Sequence, residues 1–230
     1  MFENQKNNNQ ALLKVKTVYF ISGLGADERV FAKLQLQRVK QVFIKWIPPN
    51  EKEPLKAYCN RLLQQIDQSK PVYLIGVSFG GIVAQEISKL IKVQKVIIIS
   101  SVKSPSEYSW SIKLARRLKL NRIVPSNILK HLNHLSSDYY FSIKTKSESD
   151  LLRKIIEDTD TLFMVWAIEQ ILTWENESQH LSLLHLHGED DRIFPLKYIK
   201  DATLIKGGGH FMIYNRASEI TALINLAIGY

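Results

Sequence analysis

A chain of 230 residues, 45% hydrophobic and 23% charged, can build one sizeable core with an inserted subdomain, and its composition excludes a disordered chain, a collagen-like fibre and a disulfide-dense miniprotein. Its single cysteine, Cys59, can form neither an intrachain disulfide nor a cysteine metal cluster, so a reducing compartment is expected. No apolar run reaches the ~18–20 residues of a membrane span, and the polar start MFENQKNNNQ lacks the apolar stretch of a signal peptide, which points to a cytoplasmic protein.

Short β-rich apolar runs alternate with longer helical patterns. The expected strands are Thr17–Ser22, Gln41–Ile47, Pro71–Ser78, Lys95–Ser101, Leu181–His187 and Ala202–Lys206. Several are nearly continuous in Val, Ile, Leu and Tyr, the pattern of parallel strands covered on both faces. Between them lie helical stretches: Leu55–Asp67, with Leu55, Cys59, Leu62, Leu63 and Ile66 on one stripe, then Gly80–Ile91, and at the end Ala217–Ile228. Strand–helix alternation implies an open parallel sheet.

The alternation breaks between about 102 and 177. There the pattern predicts helices only, over Trp110–Leu120, Asn127–Leu135, Ser147–Glu157 and Asp160–Trp174. The chain therefore divides into a core (1–101 and 178–230) and a helical insertion (102–177) after the fourth strand. Most of the formal net charge of +9 also falls here, with eleven Lys/Arg against four acids between Lys103 and Lys154. No zinc-finger spacing or aromatic RNA-binding signature accompanies it, so a solvated face is the expectation rather than nucleic acid. Trp110, Leu114 and Leu118 form an apolar stripe beside Lys113, Arg116, Arg117 and Lys119, which could rest on an anionic membrane surface; a solvated helix is the simpler reading.

The strongest chemical signal is Gly76-Val77-Ser78-Phe79-Gly80, followed by Gly81, where a strand becomes a helix. A nucleophile on such a turn has a strained backbone, so its flanking positions need little side chain, and the turn lifts the Ser78 hydroxyl above the sheet. Serine needs a base, and the base needs an orienting group. Of the six histidines, His131 and His134 lie in the basic insertion as surface residues, and His185 and His187 alternate within a strand, where structural roles fit better. His210 follows Gly207-Gly208-Gly209 in a loop beside the strand ends, where sheet enzymes present their catalytic groups. Candidate carboxylates are Glu189, Asp190 and Asp191, just past the fifth run.

The order Ser78, then the acids, then His210 resembles that of the α/β-hydrolase superfamily over residues 15 to 230. The matching pieces are GVSFGG, HGEDDRIFP and GGGHF. The resemblance implies a reduced, mostly parallel sheet of about six strands, with the insertion as a cap or lid. It favours Asp191 as the acid, being the fifth position of the family's H-G-x-x-D segment, with Glu189 and Asp190 as alternatives. It implies oxyanion donors in the backbone N–H groups of Phe79 and Leu24, the latter in Ser22-Gly23-Leu24-Gly25. Many members have histidine where this chain has Ser22, which removes one customary support of that loop. Phe163, Met164 and Trp166 are candidates to line the substrate pocket. The implied reaction is hydrolysis of an ester or related acyl compound through Ser78, His210 and Asp191, with a small-molecule acyl substrate and with no metal or organic cofactor. Thioesterases, C–C bond hydrolases and slow-turnover signalling proteins share this framework, and fold does not choose among them.

Overall fold

The computed structural model describes residues 15–118, 137–178 and 180–230. Six strands form one sheet: β1 (Lys16–Ile21), β2 (Val39–Phe43), β3 (Tyr73–Val77), β4 (Lys95–Ile99), β5 (Leu183–Gly188) and β6 (Thr203–Ile205). All five neighbouring pairs are parallel, in the order β2-β1-β3-β4-β5-β6.

Side chains alternate across this sheet, as a period of two requires. Tyr19, Ile21, Leu74, Val96 and Ile98 face helices α1 (Leu55–Leu62) and α2 (Phe79–Ser88) on one side. Val18, Phe20, Ile75, Val77, Ile97 and Ile99 face the other cluster, which includes Ile220, Ile224 and Ile228. Those three belong to the last helix of the chain, Ala217–Ile228. Covering on both faces is why the strands read as apolar runs rather than as alternating ones. Each Ile or Leu fully buried here contributes about 2 kcal/mol.

The second strand lies two residues earlier than its apolar run suggests and stops at Phe43. Beyond that point side chains take over the backbone groups. The Lys45 N–H donates to Gln65 Oε1 at 2.8 Å, and the Ile47 N–H donates to the Tyr58 hydroxyl at 3.1 Å.

Between β4 and β5 the described residues contain no strand. They hold α3 (Trp110–Arg117), α4 (Lys146–Asp158) and α5 (Thr161–Thr173). Their starts are marked by side-chain caps, with Ser109, Thr145 and Asp160 accepting the Ile112, Glu148 and Phe163 N–H groups. The helix expected over Asn127–Leu135, with His131 and His134, lies outside the described residues, as does the polar start of the chain. Helix α5 is tied to the core where the Leu55 N–H donates to Gln170 Oε1 at 3.0 Å, and to the rest of the insertion where the Tyr108 hydroxyl donates to the Ile171 carbonyl at 2.8 Å. On α3 the apolar stripe is solvent-facing, with Trp110 68% exposed. Its neighbour Arg116 is engaged with Glu175 and donates to the Trp174 carbonyl. No helix among the described residues is long and apolar enough to cross a membrane.

Strand order reverses beside β1, which pairs with β2 on one side and β3 on the other. A crevice opens above the carboxyl ends of such strands. The loop after β1 and the turn after β3 are therefore neighbours, and the segments following β5 and β6 reach the same edge from the other side. After β6 come α6 (Met212–Asn215) and α7 (Ala217–Ile228).

Candidate active site

Ser78 follows β3 and caps α2 with φ 53° and ψ −121°, a backbone conformation costing about 1–3 kcal/mol outside glycine. The turn survives because its surroundings leave it no alternative. The Ser78 N–H donates to the Ile99 carbonyl at 2.9 Å, and its carbonyl accepts from the Gly81 N–H at 2.9 Å and the Ser101 hydroxyl at 2.7 Å. A Cβ at Gly80 would collide with the Ile21 and Ser22 carbonyls, and one at Gly76 with the Gly80 carbonyl. Only glycine lets β1 and α2 approach this closely.

His210 comes from the loop after β6. Its Nε2 lies 3.0 Å from Ser78 Oγ and its Nδ1 lies 2.9 Å from Asp191 Oδ2. The ring is held between Phe141 and Phe194, with centroids 5.3 and 5.7 Å away. Asp191 is buried, and its other oxygen, Oδ1, accepts the Ile193 and Phe194 N–H groups at 2.9 Å each. Burial raises the Asp191 carboxyl, but the opposing charge and hydrogen bond of His210, with His187 and the Phe194 N–H, outweigh it and hold the pKa below the ordinary carboxylate value.

Glu189 and Asp190 differ from Asp191 in being exposed. Glu189 accepts the Gly207 N–H at 3.4 Å, and Asp190 is engaged through its backbone, donating to the Gly208 carbonyl and accepting from the Ser142 hydroxyl. His185 and His187 are buried under the site. His187 Nε2 lies 2.8 Å from the Phe194 carbonyl and 3.8 Å from Asp191 Oδ2, so it braces the turn that carries the carboxylate. His185 Nε2 lies 3.1 Å from the Ser101 carbonyl, and burial, with the charges of His187 and Lys103, pushes its pKa down to about 3. Burial holds both rings below the ordinary imidazole value, and among the described residues no cluster of His, Cys, Asp or Glu is composed to hold a metal ion.

The loop after β1 faces Ser78: a Cβ on Gly23 would stand 3.4 Å from Ser78 Cβ and 4.0 Å from its Oγ. Within this loop the Gly23 carbonyl accepts the Ala26 N–H at 3.0 Å. A trans peptide points its N–H opposite its carbonyl, so the Leu24 N–H is turned away from that internal bond. Phe79, the first residue of α2, contributes an N–H that has no intrahelical acceptor. Ser22 supports the loop in its own way, donating its hydroxyl to the Ala26 carbonyl at 2.6 Å and accepting from Trp46 Nε1 at 3.0 Å.

Ser78 and His210 open into a cavity of about 300 Å³. Apart from Thr159 its other walls are apolar, among them Ile112, Phe141, Ile155, Met164, Ile168 and Ile171, and no Lys, Arg, Asp or Glu among the described residues lines it. Of the three residues expected in the pocket, Met164 is on this wall. Phe163 and Trp166 are not. They turn to the opposite face of α5, where Phe163 packs 5.1 Å from Trp46 and Trp166 packs 4.2 Å from Tyr58. The Trp166 Nε1–H also needs a partner when buried, and finds it in the Glu53 carbonyl at 2.7 Å. The residues missed, Ile168, Ile171 and Leu172, share with Met164 the i, i+4, i+7, i+8 spacing of one helix stripe.

The model of the Uncharacterised protein family (UPF0227) matches residues 26–140, half of the 230-residue chain; that stretch includes Ser78 and ends before Asp191 and His210. Among solved structures, the chain is similar to MenH from S. aureus, with 16% identity, a TM-score of 0.70 and 94% of each chain covered. It is similar to an esterase from Exiguobacterium antarcticum, with 14% identity, a TM-score of 0.69, and 94% of this chain and 93% of that one covered. A bromoperoxidase from Bacillus anthracis gives 17% identity, a TM-score of 0.67 and coverage of 94% and 92%. At these identities the likeness is one of fold. No curated protein matches the sequence.

Proposed function

We propose that this chain, which belongs to the Uncharacterised protein family (UPF0227) and has the α/β-hydrolase fold, is a serine hydrolase cleaving an uncharged ester or related acyl compound. The observation that carries the reading is the line of contacts from Ser78 Oγ through His210 to Asp191, opening on an apolar cavity.

In this reading Asp191 accepts the His210 Nδ1–H, leaving Nε2 bare and facing the Ser78 hydroxyl. As Oγ attacks the substrate carbonyl, its proton passes to Nε2, and the carboxylate stabilises the imidazolium that forms. The carbonyl oxygen becomes an oxyanion held by the Leu24 and Phe79 N–H groups. Collapse of this intermediate expels the leaving group, which takes the proton from Nε2. Water, deprotonated by His210 in turn, releases the acyl group from Ser78.

A wall of Ile, Leu, Met and Phe side chains supports an aliphatic acyl group, because a carboxylate or ammonium moved into it would lose its hydration without a partner. The test is hydrolysis of p-nitrophenyl esters of graded acyl length by wild type, Ser78→Ala and His210→Ala. Turnover that rises with chain length and vanishes in both variants is expected. Equal rates in all three proteins, with no fluorophosphonate labelling at Ser78, would refute the proposal.

A further inference from the structure

Thr159 is the one residue between α4 and Asp160, the cap of α5. It is buried and stands on the cavity wall. Its hydroxyl lies 2.8 Å from the Gly25 carbonyl, in the loop after β1, and 2.8 Å from the Ile155 carbonyl in its own helix. Gly25 has φ +68°, and a Cβ there would run into the Thr159 side chain. The neighbouring residue, Asp158, accepts from Arg29 at 2.7 Å, and Arg29 is also paired with Asp27 at 2.7 Å. Two consecutive residues of the insertion thus grip one loop of the core.

What this grip reaches follows from peptide geometry. The Gly25 carbonyl and the Ala26 N–H belong to one planar group. That N–H donates to the Gly23 carbonyl at 3.0 Å, and the Gly23 carbonyl shares its own planar group with the Leu24 N–H. The one hydroxyl proton of Thr159 is shared between the Gly25 and Ile155 carbonyls, and its donation to Gly25 starts a line that runs through two peptide groups to the Leu24 amide. Each donation fixes the plane of the next group and polarises it, which strengthens the donor at the far end.

We propose that Thr159 is a positioning residue, which orients the Leu24 N–H for the oxyanion through the Gly25–Ala26 and Gly23–Leu24 peptides. It makes the insertion part of the apparatus that stabilises the transition state, beyond its role as a wall. The proposal rests on the hydrolase reading above.

The comparison is Thr159→Val, which keeps the shape and loses the hydroxyl, against Thr159→Ser, which keeps the hydroxyl. Two readouts are taken: turnover of p-nitrophenyl butyrate, and the rate of inactivation by an alkyl fluorophosphonate. In the second, Ser78 Oγ bonds to phosphorus, fluoride leaves, the serine proton passes to His210, and the phosphoryl oxygen takes the oxyanion position. Loss of a whole oxyanion donor costs ~10²–10³-fold, and loosening one should cost about tenfold. The valine variant is expected to lose about tenfold in both kcat and inactivation rate, with KM within about twofold, while the serine variant stays within about twofold of wild type. If thermal melting finds the valine variant unfolded, Thr159→Cys serves, since a thiol is a weaker donor and both rates should fall part of the way. Unchanged kcat and inactivation rates in the valine variant, or a raised KM at constant kcat, would overturn the proposal and leave Thr159 as cavity wall. A wild type with neither ester turnover nor labelling at Ser78 would instead overturn the hydrolase reading, and this proposal with it.

Discussion

Asp191→Asn isolates the proposed carboxylate with little change in shape. Its two oxygens have separate duties: Oδ1 accepts two backbone N–H groups at 2.9 Å, and Oδ2 faces His210 Nδ1 at 2.9 Å. An asparagine must keep its oxygen on the backbone amides, because turning it would set an NH₂ group against two N–H donors. The amide nitrogen then faces His210 Nδ1 and can only donate to it. His210 is driven to the other tautomer, with its proton on Nε2 pointing at Ser78, and the base is lost. The expected fall in kcat is about 10⁴-fold near neutral pH, or roughly 5 kcal/mol of transition-state stabilisation. Asp190→Asn is the matched control: that side chain is exposed and the residue is held through its backbone, so activity should stay within about twofold of wild type. The assay is kcat on a p-nitrophenyl ester for the two variants beside wild type. A reversed ranking, or an Asp191→Asn enzyme within about tenfold of wild type, would refute the reasoning.

Other expectations follow from the same contacts. The Asp191 pKa is lowered in the folded chain, so the stability it adds is full above the ordinary carboxylate value and is lost as pH falls through the lowered one; the melting difference between wild type and Asp191→Asn should narrow below about pH 4. His185 is also lowered, to about 3, so protonation favours the unfolded chain, and the stability tied to its neutral ring is lost as pH falls from about 6.5 toward 3. At pH 5 that loss is about 2 kcal/mol, and urea unfolding of His185→Gln should lack this part of the decline between pH 7 and pH 5. Gly80→Ala sets a methyl group against the Ile21 and Ser22 backbone carbonyls, so a loss of about 3 kcal/mol is expected in urea unfolding, and a loss below about 1 kcal/mol would contradict the packing described. Met164→Trp should cut activity on long acyl esters at least about tenfold while sparing acetate; Trp166→Phe should leave chain-length preference unchanged and cost about 1 kcal/mol of stability for the lost bond to Glu53.

The strands and the elbow were legible because their signals are local. Continuous Val and Ile runs such as β4 report burial on both faces, and the glycines around Ser78 report a turn that tolerates no side chain. The second strand starts two residues before its apolar run, which continues past Phe43, and nothing in the run reveals that Gln65 and Tyr58 take over its backbone groups. The three acids after β5 look alike in sequence; burial and two backbone donors single out Asp191. Helix α5 carries apolar residues on both of its faces. Met164 and Ile168 define one stripe, while Phe163 and Trp166 define another, and periodicity alone does not say which stripe looks down on Ser78. The larger aromatic side chains look like the better pocket lining on size alone. In the fold their size directs them elsewhere, since Tyr58, Trp46 and Phe79 offer rings to stack on and the Glu53 carbonyl offers Trp166 an acceptor. Helix α5 therefore gives the cavity wall its thinner side chains, Met164, Ile168, Ile171 and Leu172. In the proposed reading, substrate selection depends on how α4 and α5 are set over the sheet. That setting is fixed by long-range contacts such as Thr159 to Gly25 and Gln170 to Leu55, whose partners lie more than a hundred residues apart in the chain.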